Sequence, residues 1–84
     1  MSNINYNVNL KKEELSVSYV SLCTNVQHDF LIQGTLSLDG KTFFANSKSI
    51  DTCDALSQTE KEGIKKFIMK DSQAYKKIGI VFQN

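Results

Sequence analysis

From Asn3 to Leu10 the chain alternates strictly between asparagine and apolar residues, with Ile4, Tyr6, Val8 and Leu10 on one phase and Asn3, Asn5, Asn7 and Asn9 on the other. A helix would scatter a period of two around its axis, whereas a strand sends alternate residues to opposite faces. The pattern therefore predicts a β-strand with one wet face. The charged run Lys11-Lys12-Glu13-Glu14 reads as a hairpin loop, after which Leu15, Val17 and Tyr19 resume the alternation opposite Ser16 and Ser18. Val20 and Leu22 fall on the other phase, which predicts a bulge near Tyr19 or a strand end covered on both faces.

Residues 23–29 break the pattern and read as a loop. Phe30, Ile32, Leu36 and Leu38 then alternate with Gly34 on their face, where a glycine marks a bend or the close approach of a helix. The dipeptide Asp39-Gly40 between two strand-like runs predicts a two-residue type I′ turn. That turn sets Leu36 opposite Phe43 and Thr35 opposite Phe44, with a fourth strand over 41–47.

After residue 56 the period changes. Ser57-Gln58-Thr59-Glu60 is a capping-box sequence, and Ile64, Phe67 and Ile68 form one apolar stripe at helical spacing. Gly63 inside this helix is unfavourable by about 1 kcal/mol relative to alanine, which suggests that it admits close approach to the sheet. Asp71 would fall within the stripe, so the helix is expected to end near Lys70, with a further short turn somewhere in 72–77. The run Ile78-Gly79-Ile80-Val81-Phe82 reads as a last strand.

The reading is one α+β domain over residues 1–84: a mainly antiparallel four- to five-stranded sheet in the order β-β-β-β-α-β, with one amphipathic helix packed on one face. The last strand either pairs antiparallel with the first or lies parallel to the fourth, and the first arrangement is preferred because it needs no crossover beyond the helix.

Composition narrows the function classes. A chain of 84 residues buries one thin core and leaves little room for a deep pocket. No apolar run approaches a membrane span and no continuous apolar segment resembles a signal peptide, so a cytoplasmic location with Cys23 and Cys53 as free thiols is expected. The basic residues are ten lysines and no arginine. Arginine is the preferred reader of guanine and phosphate, so its absence argues against a sequence-reading DNA binder. The net charge of +1 argues against a DNA mimic.

Cys23, His28 and Cys53 are the soft ligands, too few and too widely spaced for a structural zinc site, so neither metal nor cofactor is expected. Cys23 and His28 share one predicted loop and would be the pair used by a small enzyme, but no orienting partner or oxyanion donor accompanies them. Two surfaces remain. Lys61, Lys65, Lys66 and Lys70 lie on the helix side away from the apolar stripe, where a lysine-bearing face either contacts nucleic acid or is simply solvated. Asn3, Asn5, Asn7 and Asn9, with Ser16, Ser18, Gln33, Thr35 and Ser37, form an uncharged polar sheet face. The first strand also lacks the charge or proline that usually protects a sheet edge. The expectation is a small non-catalytic protein-binding module, an accessory, adaptor or inhibitor protein acting through a sheet edge or this polar face. Another protein or a second copy in a homodimer is the expected partner, with a nucleic-acid-associated protein as the alternative.

Overall fold

A computed structural model describes residues 3–83. Its strands are β1 (Ile4–Asn9), β2 (Glu14–Val20), β3 (Gln27–Leu36), β4 (Thr42–Asn46) and β5 (Gly79–Gln83). A short helix α1 (Lys48–Asp51) and the main helix α2 (Gln58–Asp71) lie between β4 and β5. The five strands form one sheet in the order β1-β2-β3-β4-β5. The first three pairings are antiparallel and β4–β5 is parallel; the strands follow the predicted order, and α1 is an addition to the single helix that the periodicity predicts.

The last strand takes the other of the two pairings considered: it joins β4, not β1. The segment 47–78 is a crossover long enough for a parallel connection, and it carries α2 over the sheet. Register explains the gain. Pairing on β4 sets Ile80 beside Phe43, and both side chains are almost fully buried. The apolar residues of β1, by contrast, are only half-buried. As a result both β1 and β5 are outermost strands.

The core lies between the sheet and the helices. Leu15, Val17, Ile32, Phe43, Ala45 and Ile80 point from the strands toward Ile50 of α1, Leu56, and Ile64 and Ile68 of α2. Each fully buried isoleucine or leucine contributes roughly 1.5–3 kcal/mol by removal from water. The helix starts where the capping box predicts: the Ser57 hydroxyl accepts from the Glu60 amide at 3.2 Å, and Glu60 Oε1 accepts from the Ser57 amide at 3.2 Å. It does not stop at Lys70. It continues through Asp71 into a π-helical turn, Ser72–Lys76, closed by Lys77 in the left-handed conformation at φ 56°.

Three local expectations are corrected. The β3–β4 connection keeps the expected register, with Leu36 opposite Phe43 and Thr35 opposite Phe44, but it is not a type I′ turn. That turn needs positive φ at both central residues, and here only Gly40 has it, at 71°. Ser37 and Thr42 instead close a longer loop, in which Asp39 Oδ1 accepts from the Ser37 hydroxyl and the Lys41 amide. No bulge forms at Tyr19, because Ile4–Tyr19 and Tyr19–His28 are in regular register. Leu22 simply leaves the sheet in the 21–26 loop, and β3 already begins at Gln27.

The glycines exchange roles. Gly63 is exposed, and a Cβ there would meet nothing within 4 Å, so it is no close-approach site. At Gly34 a Cβ would lie 2.5 Å from Phe43 Cζ and from the Phe44 carbonyl oxygen. The Phe43 ring occupies the space over Gly34, so the close approach is made by the neighbouring strand and not by the helix. Gly34→Ala is therefore expected to lower unfolding free energy by about 1–3 kcal/mol through overpacking. Gly63→Ala is expected to raise it by about 0.5–1 kcal/mol. Urea denaturation of the two variants checks both signs, and a Gly34→Ala protein as stable as the parent would contradict the packing account.

Candidate functional site

β1 is one of the two outermost strands of the sheet, so one of its edges has no strand beside it. The Val20 amide donates to the Asn3 carbonyl, while the Ser21 amide donates to the Val26 carbonyl and the Gly34 amide to the Glu13 carbonyl. Even-numbered residues of β2 thus bond β1, and odd-numbered ones bond β3. Because antiparallel ladders alternate, Asn5, Asn7 and Asn9 turn their main-chain groups toward β2, and Tyr6 and Val8 turn theirs outward. No charged residue lies between Ile4 and Asn9. Lysine, proline or a bulge, the usual protections of an edge, are absent from this strand.

The asparagines do not act as one patch. The Asn3 side chain donates to the Val20 carbonyl at 2.7 Å and fastens the start of β1. Asn9 Oδ1 accepts from the Lys12 amide and holds the hairpin loop. Asn5 and Asn7 remain exposed on the face opposite the helix. Their cross-strand neighbours are Ser18 and Ser16, which are followed in β3 by Asp29 and Leu31. Leu31 is 61% exposed, and Phe44 and Val81 stand together farther along the same face, so the open face is not uniformly polar.

The lysine face of α2 is divided. Lys65 Nζ forms an ion pair with Asp51 at 2.8 Å, and Lys61 Nζ donates to the Asp51 main-chain carbonyl at 2.8 Å. These two lysines lock α1 to α2, while Lys66 and Lys70 are exposed. The Lys65 ammonium and the Ser47 hydroxyl hold the Asp51 carboxyl below its ordinary range.

Cys23 and His28 are separated by the fold. Cys23 is exposed in the 21–26 loop, and His28 is not a loop residue but part of β3, opposite Tyr19. Its Nε2 is buried without a hydrogen-bond partner among the described residues. Cys53 lies half-buried near the core, and neither cysteine is bridged. Among the described residues no group of three His, Cys, Asp or Glu side chains is placed to hold a metal ion, and no helix is long and apolar enough to cross a membrane.

Two tyrosine–carboxylate contacts escaped the sequence reading. Glu60 Oε2 accepts from the Tyr19 hydroxyl and from the Ser21 hydroxyl, both at 2.7 Å, while its other oxygen completes the cap. At the far end of α2 the Tyr6 hydroxyl donates to Asp71 Oδ2. The hydroxyls of Ser21 and Tyr19 pull the Glu60 carboxyl down to about 2. Burial, reinforced by the Glu60 carboxylate, pushes Tyr19 up to about 12. The only advance signal was Asp71 itself, an acid inside an apolar stripe that needed a buried donor. Comparison with known proteins finds no matching family model, no similar curated protein and no matching solved structure.

The carboxyl of Glu60 binds its proton more weakly in the folded chain than in the unfolded one. Its contribution to stability is therefore complete above about pH 4.5 and is lost as pH falls toward about 2. Tyr19 has the opposite sign, with its contribution complete below about pH 10 and lost as pH rises toward about 12. Glu60→Gln is expected to flatten the acid limb of a stability–pH curve, and Tyr19→Phe the alkaline limb. Urea midpoints measured from pH 2 to 11 read both effects. An unchanged acid slope in Glu60→Gln would show that the carboxylate is not the titrating anchor.

Proposed function

We propose that this chain is a non-catalytic protein-binding module that captures an extended segment of another protein along the outer edge of β1. One observation carries the reading: Tyr6 and Val8 present outward main-chain donors and acceptors on an outermost strand that bears no charge. Strand addition takes its affinity from such main-chain bonds and its selectivity from the alternate side chains beside them. In support of this reading over the alternatives, Cys23 and His28 lie on different elements, and Lys61 and Lys65 of the α2 lysine face are engaged by Asp51. With two unbridged cysteines the reading places the module in the cytoplasm.

An alternating threonine–valine peptide, eight residues long and uncharged, is the direct probe. Its addition is expected to shift the Tyr6 and Val8 amide signals in NMR spectra and to slow their hydrogen exchange. The same edge is expected to give weak self-association of the chain at high micromolar concentration in sedimentation. Asn7→Lys places a charge on the exposed face of the edge strand without touching the core, and it should weaken both effects. If the Tyr6 and Val8 amides stay unmoved with peptide and at high concentration alike, the edge reading fails.

A further inference from the structure

The two ends of the sheet differ in charge, which the linear sequence conceals. Strands β1 and β3 finish at one end, and β2, β4 and β5 begin there. The connections gathered at that end, residues 10–13, 37–41 and 76–78, carry Lys11, Lys12, Lys41, Lys76 and Lys77 against Glu13 and Asp39, a net +3. At the opposite end residues 21–26 and 47–57 carry Lys48 against Asp51 and Asp54, a net −1.

The basic end contains a recess of about 280 Å³ between β1 and the segment leading into β5. Tyr6, Val8 and Leu10 line it from one side, and Lys76, Lys77 and Ile78 from the other. Leu10 is half exposed. The Lys76 ammonium stands 5.8 Å from the centre of the Tyr6 ring. Among the described residues neither Lys76 nor Lys77 forms an ion pair. The nearby Asp71 carboxylate is engaged by the Tyr6 hydroxyl.

Resting on the proposed edge binding, we infer that the captured segment is acidic: an extended strand with a glutamate or aspartate that enters this recess. Residues of an added strand alternate between the two faces of the sheet. Those on the helix side, bonded opposite Tyr6 or Val8, point toward the recess. A glutamate there packs its methylenes on Val8 and Ile78 and brings its carboxylate to the two ammonium groups. A lysine at the same position meets like charge, and a purely apolar side chain leaves the attraction unused. A strand peptide satisfies both the outward amides and the outward carbonyls of Tyr6 and Val8, whereas a phosphate backbone accepts from amides and offers the carbonyls no donor, which favours the peptide of the two acidic polymers.

The test is a peptide series on the full chain. The eight-residue threonine–valine peptide carries glutamate, glutamine or lysine at one central helix-side position, and binding is read by fluorescence anisotropy in low and moderate salt. The glutamate peptide is expected to bind about tenfold tighter than the lysine peptide at low salt, with the gap narrowing as salt rises. Lys76→Gln with Lys77→Gln should erase the preference and leave glutamine-peptide binding intact. Equal binding of all three peptides would overturn the acidic specificity while leaving the edge reading standing. Binding of none, with Tyr6 and Val8 amides unmoved, would overturn both. Oligothymidylate binding in place of the glutamate peptide, abolished by the same lysine changes, would also overturn the inference.

Discussion

The position of α2 on the sheet depends on three hydroxyl–carboxylate contacts, two at the start of the helix and one at its end. Apolar burial alone would leave the helix free to slide, because Ile64 and Ile68 offer a short stripe and the hydrophobic effect has no direction. Tyr19 and Ser21 take hold of Glu60 in the first turn, and Tyr6 takes hold of Asp71 in the last. Glu60 is at once the anchor and half of the capping box, so a single side chain both begins the helix and fixes where it begins. Removing one member of such a contact leaves the other partly buried and unpartnered, which is why directed polar contacts fix a position that packing alone leaves loose.

That placement determines what the rest of the molecule leaves open. With Asp71 drawn to Tyr6, the chain must return across the basic end of the sheet before β5, and it does so through a π-helical turn closed by a left-handed Lys77. The return puts Lys76 beside Tyr6 and leaves Lys77 and Ile78 along one side of a recess. The helix anchor and the candidate binding edge therefore share a residue. Tyr6 gives its hydroxyl to the helix, its ring to the recess and its main-chain groups to the outer edge.

Much of this architecture was legible in the sequence because it rests on period. The alternation from Ile4 to Tyr19 placed β1 and β2, Asp39-Gly40 placed the β3–β4 register, and Ser57 with Glu60 placed the helix start. What was not legible rests on contacts between distant residues. The Phe43 ring over Gly34, the choice of β4 as the partner of β5, and the two tyrosine–carboxylate contacts join positions that no local rule relates. The engagement of Lys61 and Lys65 was hidden for the same reason: Asp51 read as a loop acid, and only α1 carries it to those two lysines. Periodicity identifies a face, but only tertiary contacts show whether its charges are already satisfied.

The candidate edge was half legible. The absence of charge in β1 is a sequence fact, but whether it matters depends on the pairing of β5. Had β5 closed over β1, the uncharged strand would be an ordinary interior strand, whose main-chain groups are satisfied within the sheet. Pairing on β4 instead converts the same residues into an outermost strand and leaves β5 as the opposite one. On β5 the outward main-chain positions by the ladder's alternation are Ile80 and Phe82, whose side chains, like those of Tyr6 and Val8, face the core. On β1 the outward positions are flanked by exposed Asn5 and Asn7 and lie beside a recess whose lysines form no ion pair among the described residues. Strand addition needs accessible main-chain groups together with a neighbouring surface that tells one peptide from another. The proposal for β1 therefore rests on the recess that the helix return builds beside Tyr6 and Val8, more than on the lack of charge alone.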